Sequence, residues 1–433
     1  MSEWIEMPLR SLADIRVSNV DKKSVRGEKP VLLCNYMDVY ANDYIHDSLA
    51  FMEATASAAE IAKFKVEAGD VILTKDSETP DDIGIPAVVI EHIDNLVCGY
   101  HLALLKTKRD LVDPIFLCKQ LENTLAQRYF GQRAAGSTRY GLSNSALENT
   151  PILLTELPKQ QKIAAVLSTI DGAIERTEAL IAKYRQIKAG LMRDLFTRGV
   201  LPNGQLRPPR EQAPDLYRET AIGWIPKEWQ YELLDNLAQR GSGHTPNKGY
   251  PEYWNGGIKW VSLADSHRLD QLYISDTDTT ISKKGLLNSS AVLHPAGIVV
   301  LSRDAGIGKS AITTEPMAVS QHFMCWKCDQ KMNNYFLYYW LQHNKPMFEN
   351  IAMGSTILTI GLPYFKRLRI ACPVSLDEQN TIADKIKSMD TFLFSLHANL
   401  SKSQAQKTGL MQGLLTGKVP VIAEEPELVE AAA

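Results

Sequence analysis

The chain has 433 residues, a formal net charge of −3, and 45% apolar against 22% charged side chains. Such a length exceeds one ordinary domain, and such a composition excludes wholesale disorder. The charge excludes a globally basic nucleic-acid binder, and six cysteines are too few for a disulfide framework. The opening MSEWIEMPLR has no apolar core of signal-peptide length. No run of about 18 apolar residues exists to span a membrane. A cytoplasmic, multidomain protein without a membrane partner is expected.

Residues 1–155 read as one mixed α+β globular region, with strands at Val71–Leu73 and Ala87–Ile90 and helical spacing over Leu117–Tyr129. They carry 16 basic and 22 acidic side chains, net −6. Gly136-Ser137-Thr138-Arg139 is a candidate exposed loop. Small hydroxyl residues let backbone approach a phosphate, and an arginine fork can read guanine. Residues 156–200 then place Ile163, Leu167, Ile170, Ile174, Thr177, Ile181, Tyr184, Leu191 and Leu195 at alternating spacings of four and three, broken once at Lys188. That is a coiled-coil seam. Pro158 suits a first helical turn, and Gly199 is a plausible stop. Residues 201–220, with Pro202, Pro208, Pro209 and Pro214, read as a linker because proline forbids helix continuation.

Residues 221–375 form a second mixed region, net +3, with a strand at Ile298–Leu301 and helical spacing over Asn333–Gln342. The polar loop Ser242-Gly243-His244-Thr245-Pro246 precedes a strand. Asp304-Ala-Gly306-Ile-Gly308-Lys309-Ser310 is an incomplete phosphate-loop pattern, since Arg303 stands where the first glycine belongs. A Gly-rich turn presenting Arg303 and Lys309 is the better reading. Cys325-Trp-Lys-Cys328 lacks the second pair that a zinc site needs. Residues 376–420 repeat the seam through Ile382, Ile386, Met389, Leu393, Leu396, Leu400, Leu410 and Leu414. Ser375 and Glu378 have capping-box spacing, and Gly417 is a plausible stop. Residues 421–433 read as an acidic tail.

The two halves are copies. Offset by 219 residues, Leu157–Val200 lies on Leu376–Val419 with 14 of 44 positions identical, including Gln160/Gln379, Asp171/Asp390 and Lys188/Lys407. Before them, Lys75-Asp76 corresponds to Arg303-Asp304, His101 to His322, and Gly136-Ser137-Thr138 to Gly354-Ser355-Thr356. Each half is thus a divergent globular region followed by a similar helix of about 40 residues, ~60 Å long. Such a helix must bury its stripe, and the other copy offers a matching one. The paired positions of Gly190 and Gly409 suggest a close approach of backbones. The matching histidines read by default as satisfied strand-end residues. No nuclease, helicase, hydrolase or adenine-methyltransferase signature stands out, so the chain reads as one that recognises or scaffolds.

Together these features resemble the specificity subunit of type I restriction–modification systems. The residues that carry the resemblance are Leu157-Pro-Lys-Gln-Gln-Lys-Ile-Ala164, Leu376-Asp-Glu-Gln-Asn-Thr-Ile-Ala383 and Ile222-Gly-Trp-Ile-Pro-Lys-Glu-Trp229. The resemblance implies two target-recognition domains, 1–155 and 221–375, separated by two helices that form an antiparallel coiled coil. Each domain would read one half of a bipartite target in double-stranded DNA. Partners would be two modification subunits that methylate adenine and restriction subunits that cut. S-adenosylmethionine, ATP and Mg would be used by those partners, with no cofactor, metal or catalysis in this chain. The runner-up is a DNA-recognition subunit of another restriction–modification class or of a modification-only system. The residues expected to contact DNA are Lys75, Ser137, Thr138, Arg139, His244, Thr245, Arg303, Lys309, Ser355 and Thr356. The first half has no counterpart of the Ser242–Pro246 loop.

If helix length sets the unread gap between half-sites, four residues inserted after Lys183 and four after Lys402 lengthen each helix by ~6 Å. The gap should then widen by one or two base pairs, at ~3.4 Å each. Methylation mapping reads the gap. An unchanged gap in a folded, active variant would show that the helices do not set it.

Overall fold

The computed structural model describes residues 4–352 and 358–422. These fold as two compact units, one from residues 4–179 with 398–422 and the other from 180–397. Each unit holds one globular region and a segment of both long helices, which span Leu157–Arg198 and Leu376–Leu414. No described helix is long and apolar enough to cross a membrane.

The two globular regions share one topology. In the first, a five-stranded sheet runs Ala13–Val17, Leu102–Thr107, Val71–Thr74, Pro86–Val89, Tyr44–Ile45. In the second it runs Gln239–Ser242, Phe323–Lys327, Val299–Ser302, Ser310–Thr313, Tyr273–Ile274. In chain order both read first, fifth, third, fourth, second, and in both only the last pairing is parallel. The central strands are apolar without alternation because both faces are covered. Val71 and Leu73 face Phe116 and the long helices, while Ile72 joins Leu33 and Phe64 on the other side. Val299 and Leu301 likewise face Phe336, and Val300 packs with Phe323 and Cys325. Cys325 is therefore a core residue of its strand. The second layers differ: three strands (Met52–Ala56, Lys29–Cys34, Leu96–Cys98) against four (Thr280–Ile281, Trp254–Val261, Met317–Val319, Leu293–His294).

Each globular region is mounted on its helix in the same way. A ribbon of first and last strands, Ile5–Pro8 with Pro151–Leu154 and Trp229–Leu233 with Arg369–Pro373, ends just before the helix begins. The buried Gln160 then accepts from the Asp113 amide (2.9 Å) and donates to the carbonyls of Leu111 (3.1 Å) and Thr155 (2.8 Å). Gln379 repeats this with the Asn333 amide (2.9 Å) and the carbonyls of Lys331 (3.1 Å) and Pro373 (2.9 Å). Asp113 and Asn333 also cap the short helices Pro114–Glu122 and Asn334–His343. Both glutamines thus tie a long helix's first turn to a short helix's start, with every amide atom satisfied.

The helices run antiparallel within each unit. In the first, Ile163 and Leu167 share a core with Met411 and Leu414. In the second, Met192 and Leu195 share one with Ile382 and Ile386. The break in the seam at Lys188 has a cause: its ammonium pairs with Asp390, with the Tyr339 ring 5.8 Å away. The repeat-equivalent pair, Lys407 with Asp171 at 2.8 Å, lies in the first unit. There the fully buried Lys119 joins it, contacting Asp171 (2.8 Å), Glu122 (2.7 Å) and Asp43 (3.1 Å). Burial alone would lower the Lys119 pKa, but the Glu122 and Asp43 carboxylates outweigh it and keep the ammonium charged. Burial would raise Asp43, and Lys119 and Lys407 hold it below its ordinary value instead.

Several sequence expectations change. The helical stretch Leu117–Tyr129 is two helices, Pro114–Glu122 and Thr124–Arg133, parted at the extended residue Asn123. Glu378 is not part of a capping box. Its carboxylate takes Arg207 and accepts from Trp229 Nε1 (3.0 Å) and the Val200 amide (3.1 Å), while the Ser375 hydroxyl serves Asp377. Residues 201–220 are built in rather than loose: Val200 bridges Leu206, Arg207 is buried, and Tyr217–Thr220 pairs with Gly223–Pro226. Gly199 does end its helix, with φ +63°, whereas the second helix stops at Leu414 and Gly417, with φ +74°, closes the turn that follows it. The tail beyond residue 422 lies outside the described residues.

Gly190 and Gly409 do not mark a backbone contact: a Cβ built at either meets nothing within 4 Å. Mid-helix glycine then only weakens the helix. Gly190→Ala and Gly409→Ala should each stabilise their unit by about 1 kcal/mol. Scanning calorimetry should show each transition rising by roughly 2–4 °C. A fall would reinstate the close approach.

Candidate nucleic-acid interface

In both units the third and fifth strands of the sheet are neighbours, and their adjoining ends carry the same pair of residues. Asp76 follows Val71–Thr74 and His101 precedes Leu102–Thr107; Asp304 and His322 stand at the equivalent ends of Val299–Ser302 and Phe323–Lys327. The backbone holds the positions in register, with the Lys75 amide on the His101 carbonyl (2.9 Å) and the Arg303 amide on the His322 carbonyl (3.0 Å). The side chains then meet: His101 Nδ1 to Asp76 at 2.5 Å, and His322 Nδ1 to Asp304 at 2.6 Å. Partial burial would raise the Asp76 carboxyl, but hydrogen bonds from His101 and Lys75 outweigh it and hold it below the usual range. An ionised carboxylate only accepts, so the His101 Nδ1 must carry the hydrogen.

The residues expected from sequence fall around these pairs in different ways. Lys75 Nζ lies on Asp76 at 2.9 Å. Asp76–Ser77 pairs with Tyr140–Gly141, which seats the preceding turn beside it. In that turn Gly136 has φ +150°, and a Cβ there would run into the Arg139 carbonyl. The tight turn leaves Ser137, Thr138 and Arg139 exposed. Near it stand Tyr36 and Tyr40, stacked at 5.6 Å. Burial and Asp82 raise the Tyr36 hydroxyl, and Ser77 and Arg139 partly offset them.

In the second unit Arg303 is tied to main chain, donating to the carbonyls of Gln321 (3.0 Å) and Ile360 (3.0 Å). Lys309, in a turn with Gly306 and Gly308 at φ of +86° and +79°, donates to the Ser266 carbonyl (3.2 Å). His244 is exposed, and its carbonyl accepts from Trp260 Nε1 (3.1 Å). The Thr245 hydroxyl donates to Gln321 Oε1 (2.5 Å). Thr245, Gln321 and His322 line one open cleft of about 690 Å³, with Lys248, Trp254 and Trp260. Ser355 and Thr356 lie outside the described residues.

The structure therefore brings Thr245 and Arg303 together around Gln321–His322, and Lys75 beside the Arg139 turn. Sequence reasoning overlooked Gln321, Tyr36 and the aspartate–histidine contacts. The signal for the last was present, since both aspartates and both histidines sit at matching places in the two halves. Among the described residues no group of three or more His, Cys, Asp or Glu is placed to hold a metal ion. Polar side chains at sheet ends, in loops that differ between two otherwise equal frames, suit selective hydrogen bonding.

Comparison with known proteins agrees. A family model described as the type I restriction modification DNA specificity domain matches residues 1–183 and again 226–403. The putative type I restriction enzyme MjaX specificity subunit of Methanocaldococcus jannaschii is 23% identical over 368 residues, 84% of this chain and 81% of that protein. The HindI specificity subunit of Haemophilus influenzae is 22% identical over 428 residues, covering 86% and 90%. The crystal structure of a type I restriction–modification S subunit from M. genitalium superposes with TM-score 0.58 at 14% identity, covering 95% and 96%. A chain from a study of assembly and conformational transition of the type I system gives 0.51 at 14% identity, covering 95% and 97%. At such identities the structures speak for the fold.

The surroundings of two arginines lead to opposite expectations. Arg139→Ala should leave the melting temperature unchanged and weaken DNA binding, either relaxing one base position by roughly 1–3 kcal/mol or lowering the salt slope by about 1. Arg303→Ala strips two carbonyls of their donor and should destabilise the second unit by about 1–3 kcal/mol. Thermal melts and salt-titrated binding separate the two. Equal melts with equal binding losses would overturn the distinction.

Proposed function

Because this chain belongs to the type I restriction–modification DNA specificity family, we infer that it is the DNA-recognition subunit of such an assembly and that each globular region reads one half of a bipartite target. What carries this reading is that the family model matches twice, once on each repeat, while the two repeats share a sheet order and differ in their outer strands and loops. A duplicated frame with divergent loops is what reading two different half-sites requires. The seam helices would set the spacing and dock two modification subunits. Adenine methylation, with S-adenosylmethionine, and cutting, with ATP and Mg, would belong to modification and restriction subunits rather than to this chain.

The test is exchange. Replacing residues 1–155 with the equivalent region of another family member, in the complex with modification subunits, should change one half of the methylated motif and leave the other half and the gap intact. Methylome sequencing reads both. A change in both halves would show that the two regions do not read independently.

A further inference from the structure

The aspartate–histidine contact recurs in both units although most residues around it have changed. In the first unit Lys75 and the Asp76–Ser77 strand surround it; in the second, Arg303, Thr359 and Gln321 do. His101 also adopts φ +71°, a conformation that non-glycine residues rarely take. Such a conformation persists only where the surroundings hold it, and an outlier of this kind points toward function. Neither ring is buried: the side chains are 24% and 34% exposed. A purely structural pair at a strand end needs no exposed ring.

The atoms left over define a pattern. With Nδ1–H turned to its aspartate, a neutral imidazole keeps Nε2 as an acceptor. In the second unit the Thr245 hydroxyl donates to Gln321 Oε1, an orientation that places the amide's Nε2 donors beside His322 Nε2, 3.4 Å away. In the free protein one amide hydrogen can lie toward the ring; a base that engages the pair takes the ring's acceptor in its place, and the amide is then free to donate to the same base. Both side chains line the open cleft. A donor next to an acceptor complements adenine, which offers N7 as acceptor and N6–H₂ as donor in the major groove. Guanine offers two acceptors there, thymine one acceptor and cytosine one donor.

We propose that Gln321 and His322 read an adenine in the half-site bound by residues 221–375, with Asp304 and Thr245 as positioning residues, and that His101, held by Asp76, accepts from a base amino group in the other half-site. This rests on the DNA-recognition reading above. It adds Gln321, His322, His101 and their two aspartates to the contacts expected from sequence.

The test uses the full chain in complex with its modification subunits. The wild-type target is defined by methylome sequencing, and the two half-sites are assigned by the exchange of residues 1–155. Methyl transfer is then measured on duplexes carrying every single base-pair substitution. His322→Ala and Gln321→Ala should each lose discrimination at the same A·T pair of the second half-site, by roughly 10- to 100-fold, and keep it elsewhere. Asp304→Asn should relax that same pair. The Asp304→Asn/His322→Ala double variant should be no worse there than His322→Ala, because the aspartate acts through the ring. His101→Ala should relax one pair of the first half-site only. Gln321 is exposed, so Gln321→Ala keeps the test sound if the His322 variant does not fold. Discrimination unchanged in folded variants, or lost evenly at all positions, would overturn the assignment. A wild-type complex that methylates without sequence preference would instead overturn the DNA-recognition reading.

Discussion

Two lysine–aspartate pairs, Lys188 with Asp390 and Lys407 with Asp171, determine how the two repeats can meet. The four residues are two positions of one repeat and their counterparts in the other. The two lysines interrupt seams of isoleucine and leucine, where a charge without its partner is costly, although Lys188 and Asp390 keep about a quarter of their side-chain surface exposed. A parallel alignment of the repeats would set Asp171 against Asp390 and Lys188 against Lys407. The antiparallel alignment turns both like-charge encounters into ion pairs. A slipped register would strand all four. The charges thus exclude the wrong alignments, which seams of leucine alone would not.

Around those helices the two halves keep their mountings and vary their faces. The glutamine clamp, the capped short helix, the terminal strand ribbon and the sheet order are the same in both units. Each buries backbone or amide groups that must all be satisfied together, so a single change there leaves orphaned partners. The outer sheets and the loops at the strand ends carry no such joint constraint. Lys119 illustrates the boundary: its counterpart facing the ion pair in the second unit is Tyr339, which meets Lys188 through its ring rather than through carboxylates. A frame that is conserved inside and free at its rim suits two units that bind the same kind of ligand with different preferences.

Net charge says little about either rim. The first globular region is acidic overall, yet many of its cations are consumed internally: Lys75 on Asp76, Lys106 on Asp70 and Glu67, Lys119 on three carboxylates. Arg139 is exposed on its turn. In the second region Arg303 serves main-chain carbonyls and Lys309 the Ser266 carbonyl. The face of each unit is therefore set by which charges the fold leaves unspent.

The sequence by itself established the duplication, the seams, the helix stop at Gly199, the apolar central strands and the family, because each is written in local spacing or in identity between the halves. It also placed Lys75-Asp76 against Arg303-Asp304 and His101 against His322. Only the tertiary structure decided what these residues touch. Glu378 left its expected cap because the distant Arg207 and Trp229 reach it. Gly190 and Gly409 proved open because no neighbour lies over them. The aspartate–histidine pairs formed because antiparallel strands bring residues 25 and 18 positions apart to one sheet end. A side chain's partner depends on distances across the fold, and spacing along the chain carries no record of those.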